Sequence, residues 1–273
     1  MLEIPESKTV SLQANDILTG KRIVRVYQAT SPHKFTFFNG DPAKYHPLLA
    51  GRQVFSARGH GMFVDICCDH DIFITVGDGV NMRYCASREA LPPKYQLAIE
   101  FDNGGCVVFT VAMYGAIYAY SGMLDNKYHR GSLASISPLD DAFSEQLFED
   151  IFKNVTKDIS MKALLATEQR IPGLGNGVLQ DILFNSGIHP KRKKSSLTDF
   201  EKEELFYSLK TTLRCMTDRG GRDTEKDFLG KNGRYKTILS KNTLNNPCPN
   251  CGGKIIKEAY LGGAVYYCQN CQK

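Results

Sequence analysis

The sequence predicts an α+β protein, with a β-sandwich in its N-terminal half and helices and a closing β-hairpin in its C-terminal half. Three observations predict it. From Arg22 to about Tyr120, short apolar runs are cut by Gly and Asp-Asn turns, as at Asp102-Asn103-Gly104-Gly105. From Ala142 onward apolar residues recur at helical spacing. The chain closes on Cys248-Pro-Asn-Cys251 and Cys268-Gln-Asn-Cys271, sixteen residues apart.

The elements follow in order. Pro5 and Glu6 suit the first turn of a helix, with Val10, Leu12, Ile17 and Leu18 as its apolar face. Strands are expected at 22–27, 53–57, 61–68, 72–76, 82–85, 96–101 and 106–111. Many short strands at this spacing imply a sandwich or barrel. A polar stretch rich in Ser and Pro then reads as a linker. This divides the chain into a sandwich at 1–130, a linker at 131–141, a helical domain at 142–240 and a hairpin at 241–273. Helices are expected at 142–154 and 161–168. A third opens at Thr198, where Glu201 completes a capping box, and runs to about Cys215. The stretch 218–235 is rich in Gly, Arg, Lys and Asp and reads as a loop that is mobile or ordered by a ligand.

Between these helices lies Ile171-Pro-Gly-Leu-Gly-Asn-Gly177, with glycines at Gly173, Gly175 and Gly177. Asn176 reads as the N-cap of a helix carrying Val178, Leu179, Ile182 and Leu183. A helix start with unpaired N–H groups is a site for phosphate. The run Lys191-Arg192-Lys193-Lys194 follows. The four terminal cysteines suit a tetrahedral, structural Zn²⁺ on a hairpin turning at Gly262-Gly263.

The chain has 273 residues, and 42% are hydrophobic, enough for a large core. No apolar run is long enough for a membrane span. The start resembles neither a signal nor a transit peptide. Nine cysteines, two of them adjacent at Cys67-Cys68, point to a reducing, cytoplasmic setting. The net charge of +5 is uneven: residues 151–273 hold 21 Lys and Arg against 12 Asp and Glu, and the first 150 hold 13 against 17. A basic second half suits a polyanionic partner.

Taken together, the Met-Leu-Glu-Ile-Pro-Glu start, Lys162 with the glycine turn, Phe184-Asn-Ser-Gly-Ile-His-Pro190 and the paired C-x2-C motifs resemble one family. It is the formamidopyrimidine-DNA glycosylase and endonuclease VIII family of base-excision repair enzymes, and the likeness runs end to end. The resemblance implies a sandwich and a helix–two-turn–helix domain with a zinc hairpin, flanking a cleft for damaged or abasic duplex DNA. It implies a monomer acting on a nucleotide flipped from the stack, and association with the nucleoid. It assigns phosphate contacts to Lys162, Gly173, Gly175, Asn176 and Gly177. It places Arg222 and Tyr235 in a lesion-capping loop. It makes Glu3 and Glu6 the acids of the reaction centre.

The family's nucleophile is the amine of an N-terminal proline exposed by methionine removal. Here Leu2 holds that position. Retention of Met1 would displace the amine by about 3.8 Å, which argues against lyase chemistry. Arg58-Gly59-His60 matches a family segment that carries lysine, so His60 is a candidate for phosphate contact or proton transfer. Asp78 stands where a wedging Met is expected, and Met113-Tyr114 where an Arg-Phe pair is expected. Met113 and Tyr114 remain candidate apolar wedges. Gly263 replaces the hairpin's tip arginine. The sequence supports a DNA glycosylase, with Glu3 activating water or the Met1 amine reaching the sugar. The alternatives are a lesion- or abasic-site-binding protein without catalysis and a general zinc-hairpin nucleic-acid binder.

Overall fold

Alternation of apolar residues builds two facing sheets, as strand side chains point to opposite faces. The structure, a computed structural model, describes residues 2–273. Helix α1 (Ile4–Leu18) opens the chain and is followed by β1 (Ile23–Gln28), β2 (Thr36–Phe38) and the short α2 (Tyr45–Leu49). Strands β3 (Val54–His60), β4 (Phe63–Cys68), β5 (Ile72–Val76), β6 (Val80–Cys85), β7 (Leu97–Phe101), β8 (Cys106–Val111) and β9 (Gly115–Ser121) complete the sandwich. One sheet has the order β1-β7-β8-β6 and the other β2-β9-β5-β4-β3. Pairing is antiparallel except between β2 and β9. Val64, Ile66, Ile74, Leu97, Ile99, Val107 and Phe109 fill the space between the sheets.

Four elements go beyond the expected set. β2 and α2 are too short to carry a period. β9 lies at the end of the expected strand region and pairs with β5 from Ile117 to Ser121. Helix α3 (Lys127–Ala134) falls at the predicted boundary and linker. Its buried residues are His129 and Ser132, so it has no apolar face to read from sequence. Asn126 caps it, accepting from the N–H groups of Tyr128 (2.9 Å) and His129 (3.1 Å).

The helical lobe holds α4 (Glu145–Asn154), α5 (Met161–Ala166), α6 (Asn176–Asn185) and α7 (Asp199–Asp218). Phe148, Leu164, Val178, Leu179, Ile182, Leu205, Leu209 and Leu213 form its core. Each such side chain contributes about 1.5–3 kcal/mol when fully buried. The predicted capping box is present: Thr198 Oγ1 accepts from Glu201 N–H (3.2 Å), and Glu201 accepts from Thr198 N–H (2.8 Å). Helix α1 serves both lobes. Ile4 packs into the helical core, and Val10, Ala14 and Leu18 pack into the sandwich.

The stretch after α7 is ordered by the protein itself, correcting the expectation of a mobile or ligand-ordered loop. Phe228 is fully buried in the sandwich core, and its carbonyl accepts from Tyr84 N–H (2.8 Å). Gln13 on α1 accepts from Phe228 N–H (3.0 Å) and donates to Asp227 (2.9 Å).

The chain ends in the hairpin of β10 (Ile255–Tyr260) and β11 (Gly263–Cys268). The turn is Leu261-Gly262, with φ of 46° and 74°, and Gly263 already pairs with Tyr260. Two successive positive φ values match the tight hairpin turn that follows strand twist, so the turn lies one residue before the predicted one. Among the described residues, no helix is long and apolar enough to cross a membrane.

Candidate active cleft and metal centre

The four cysteine sulfurs at the base of the hairpin lie within 4.8 Å of one another. Cys248 and Cys271 Sγ are 3.7 Å apart, and Cys251 and Cys268 Sγ 3.5 Å. Zn–S bonds of about 2.3 Å place tetrahedral sulfurs about 3.8 Å apart. The donor set and spacing fit a structural Zn²⁺, which stiffens a hairpin too small to hold itself.

Between the lobes lies a cavity of about 530 Å³ lined by Glu3, Asp78, Met113, Tyr114, Asn176 and Gly263, among others. The glycine turn forms its floor, and three corrections arise there. First, the N-cap of α6 is Gly175, and Asn176 is the first helical residue. Second, the capping anion is internal. Glu3 accepts from Gly177 N–H (2.9 Å) and Val178 N–H (2.7 Å). A carboxylate at a helix start satisfies orphan donors and meets the positive end of the dipole. These two amides are therefore spent on Glu3 and are not offered to phosphate. Third, the glycines are demanded by protein packing. A Cβ on Gly175 would stand 2.5 Å from Glu3 Oε1, one on Gly177 would strike Arg222, and one on Gly173 would strike the Gly61 backbone. Gly173 also has φ of 81°, open to glycine alone at little cost.

Arg222 is 2% exposed and so is not a surface contact for DNA, as the sequence suggested. It donates to Glu6 through Nη2 (2.7 Å) and Nε (3.0 Å), and its Nη1 lies 3.3 Å from Glu3. Burial works against its charge, but the two carboxylates outweigh burial and hold its pKa up. Burial pushes the Glu3 carboxyl above its usual range, against the pull of Arg222 and the two amides. Glu6 is likewise buried and fully engaged by Arg222. The sequence held a signal for this arrangement: two acids beside a polyanion site need a cation of their own.

Tyr235 is also a core residue, not a lesion contact. It packs in the helical core, and burial and Asp181 raise its pKa. Asp181 is fully buried on α6 and accepts from Ile238 N–H (2.9 Å) and Leu239 N–H (2.8 Å). Burial raises its pKa to about 6. The loop's exposed cations are Arg219, Lys226, Lys231 and Arg234.

Lys162 is 1% exposed, and its Nζ donates to the Tyr260 carbonyl. It holds the hairpin, and burial lowers its pKa. Lys162 is thereby tied to the hairpin strand that borders the cavity. Gln180 adds a second tie, donating to Ala264 O (3.1 Å) and accepting from Tyr266 N–H (3.1 Å). Asn176 Oδ1 is buried with no partner among the described residues, and its Nδ2 lies against Gly263.

Met113 and Tyr114 are 69% and 44% exposed in the β8–β9 turn. Tyr114 donates to Asp78 (3.2 Å), whose charge raises the Tyr114 pKa. Burial pushes the Asp78 carboxyl up. Leu2 is 5% exposed, and its side chain packs in the sandwich core, anchoring the chain just before Glu3. Met1, expected to carry the amine, lies outside the described residues. His60 does not line this cavity. Its ring meets Asp65 (3.1 Å) and Ser132 (3.0 Å) and borders a different cavity. A β4 aspartate claims the imidazole that the sequence offered to DNA.

Comparison with known proteins follows the same lines. No family model matches the chain. It is 39% identical over 279 residues to the formamidopyrimidine-DNA glycosylase of Hydrogenovibrio crunogenus, covering all of this chain and 97% of the relative. It is 26% identical over 282 residues to that of Cytobacillus firmus, covering both chains in full. The crystal structure of MutM (Fpg) from Thermus thermophilus shares its fold with a TM-score of 0.82 at 20% identity, covering 99% of this chain and 98% of that one. Lactococcus lactis Fpg, solved with DNA containing an abasic site, gives 0.85 at 21% identity and 99% coverage of both chains.

Proposed function

The chain belongs to the formamidopyrimidine-DNA glycosylase family, and from that membership we propose that it releases a damaged base from duplex DNA in the cleft headed by Glu3. One observation carries the reading. Glu3, the exposed Met113-Tyr114 turn, Asn176 and the hairpin residue Gly263 converge on one cavity between the lobes. Tyr114 and Met113 are the groups free to fill the gap left by a flipped nucleotide. Asn176, in contact with the hairpin residue Gly263, lines the same cavity.

The chemistry we propose is hydrolysis of the bond between the base and sugar C1′. Such departures pass through an oxocarbenium-like sugar. In the proposed reaction Glu3 acts ionised, the form that Arg222 and the Gly177 and Val178 amides favour against burial, and the hydrogen bonds described above fix it in place. Fixed negative charge beside a developing cation lowers the barrier without reorganisation. The Glu3 oxygens are already occupied by two amides and Arg222, so electrostatic support is its role. Water attacks C1′, the base leaves, and an abasic site remains on an intact strand. The Leu2 side chain in the sandwich core and the missing proline both weigh against a Schiff base.

The test incubates the chain with duplexes bearing oxidised or ring-opened purines, with and without borohydride. Released base and no trapped adduct are expected. A trapped adduct would restore the amine as nucleophile. Tight binding with no released base across the panel would leave a lesion-binding protein.

A further inference from the structure

Helix α3 poses a question that the cleft does not answer. Its only buried residues are polar, His129 and Ser132. No aliphatic side chain of α3 is buried, and the His129 ring, edge-on to Phe63 at 5.2 Å between centroids, is its main contact with the sandwich. What it meets there is Asp65 of β4, a carboxylate with no exposed surface. His129 Nε2 lies 3.0 and 3.3 Å from the two Asp65 oxygens. His60 Nε2, from the end of β3, lies 3.1 Å from Asp65 Oδ2. The three ligand atoms lie within 4.8 Å of one another.

We propose that His60, Asp65 and His129 form a second metal site, for a first-row divalent cation such as Zn²⁺, that fastens α3 to the sandwich. Zn–N and Zn–O bonds of about 2.0–2.1 Å put tetrahedral ligand atoms about 3.3 Å apart. The spacing of the imidazole nitrogens from Asp65 matches that edge. Two imidazoles and one carboxylate suit zinc and its neighbours in the first row.

The surroundings supply what such ligands need. His60 Nδ1 meets Ser132 Oγ at 3.0 Å, which fixes the ring with Nε2 toward Asp65. Thr75 Oγ1 donates to Asp65 Oδ1 (2.7 Å) and meets the Tyr120 hydroxyl at 2.9 Å. Outer hydrogen bonds of this kind orient metal ligands. The remaining cation is Arg58, whose Nε is 3.4 Å from Asp65 and whose side chain is 54% exposed, so it is free to swing to solvent. The His60 side chain is 13% exposed and borders a cavity of about 620 Å³, which gives water a route to a fourth position.

The test counts metal in protein dialysed against Zn²⁺ with the cysteine site filled. Wild type is expected to hold one equivalent beyond the hairpin ion. His60→Gln and His129→Ala should each lose that equivalent and keep the hairpin ion, and Cys251→Ser should do the reverse. Hydrogen exchange across residues 127–134 should slow at least tenfold on adding the second equivalent. His60 stands at the cavity rim, so its variant serves if His129→Ala fails to fold. A single equivalent in wild type overturns the proposal. So does a second equivalent that survives His60→Gln.

Discussion

Replacing Arg222 with alanine separates the two roles offered for that residue. The structure gives it a bidentate contact to Glu6 and a contact to Glu3 at 3.3 Å, with all three side chains buried. Arg222→Ala leaves two buried carboxylates without their cation. Removing one partner of a buried ion pair costs about 3–5 kcal/mol. At about 1.36 kcal/mol per tenfold, the folded-to-unfolded ratio falls by roughly two to four orders of magnitude. With a urea slope of about 3 kcal/mol per M, the unfolding midpoint drops by about 1 M or more. Arg222→Lys keeps the charge but loses the fork and should recover only part of the loss. A DNA-binding measurement completes the test. A lost phosphate contact lowers the slope of log K against log salt by about 0.9. Below its melting range, the alanine variant should keep the wild-type slope. A variant of wild-type stability whose salt slope falls by that amount would refute the buried clamp.

Other consequences are equally open to measurement. Phe228→Ala empties a fully buried site in the sandwich core and should cost about 3–5 kcal/mol, with faster hydrogen exchange across residues 219–235. Tyr114→Ala, at a 44% exposed position, should change stability by less than about 0.5 kcal/mol and weaken lesion-duplex affinity by about 1–3 kcal/mol. The Asp181 pKa of about 6 lies above its ordinary 3.8, so the native state binds the proton more tightly than the unfolded chain. Its stabilising contribution is complete below about pH 4 and is lost as pH rises through about 6. The amide resonances of Ile238 and Leu239, which donate to Asp181, should titrate with that midpoint and stop doing so in Asp181→Asn.

Local chemistry made much of this molecule readable. Period-two runs located most strands, the Thr198-Glu201 box opened α7 as expected, and the cysteine spacing gave the zinc hairpin. The failures share one physical cause, contacts between residues far apart in sequence. Asn176 reads as a cap because caps are usually local, yet the capping carboxylate is Glu3, 174 residues earlier than Gly177. Arg222 and Tyr235 read as loop contacts because a polar, glycine-rich segment gives no sign that Phe228 will anchor it in the sandwich. The tie from Lys162 to the Tyr260 carbonyl spans 98 positions and leaves no local trace. His60 and His129 are 69 positions apart in the chain, and only the packing of α3 on β4 brings both to Asp65.

Glu3 is proposed to act in the departure of the base and not in holding DNA. Single-turnover base release from a damaged duplex, measured for wild type and Glu3→Gln beside affinity for an abasic duplex, tests this most directly. The Glu3→Gln rate should fall by about 100-fold or more, with affinity within about threefold of wild type. A Glu3→Gln protein that releases base at the wild-type rate, or that loses rate and affinity in equal proportion, would contradict it.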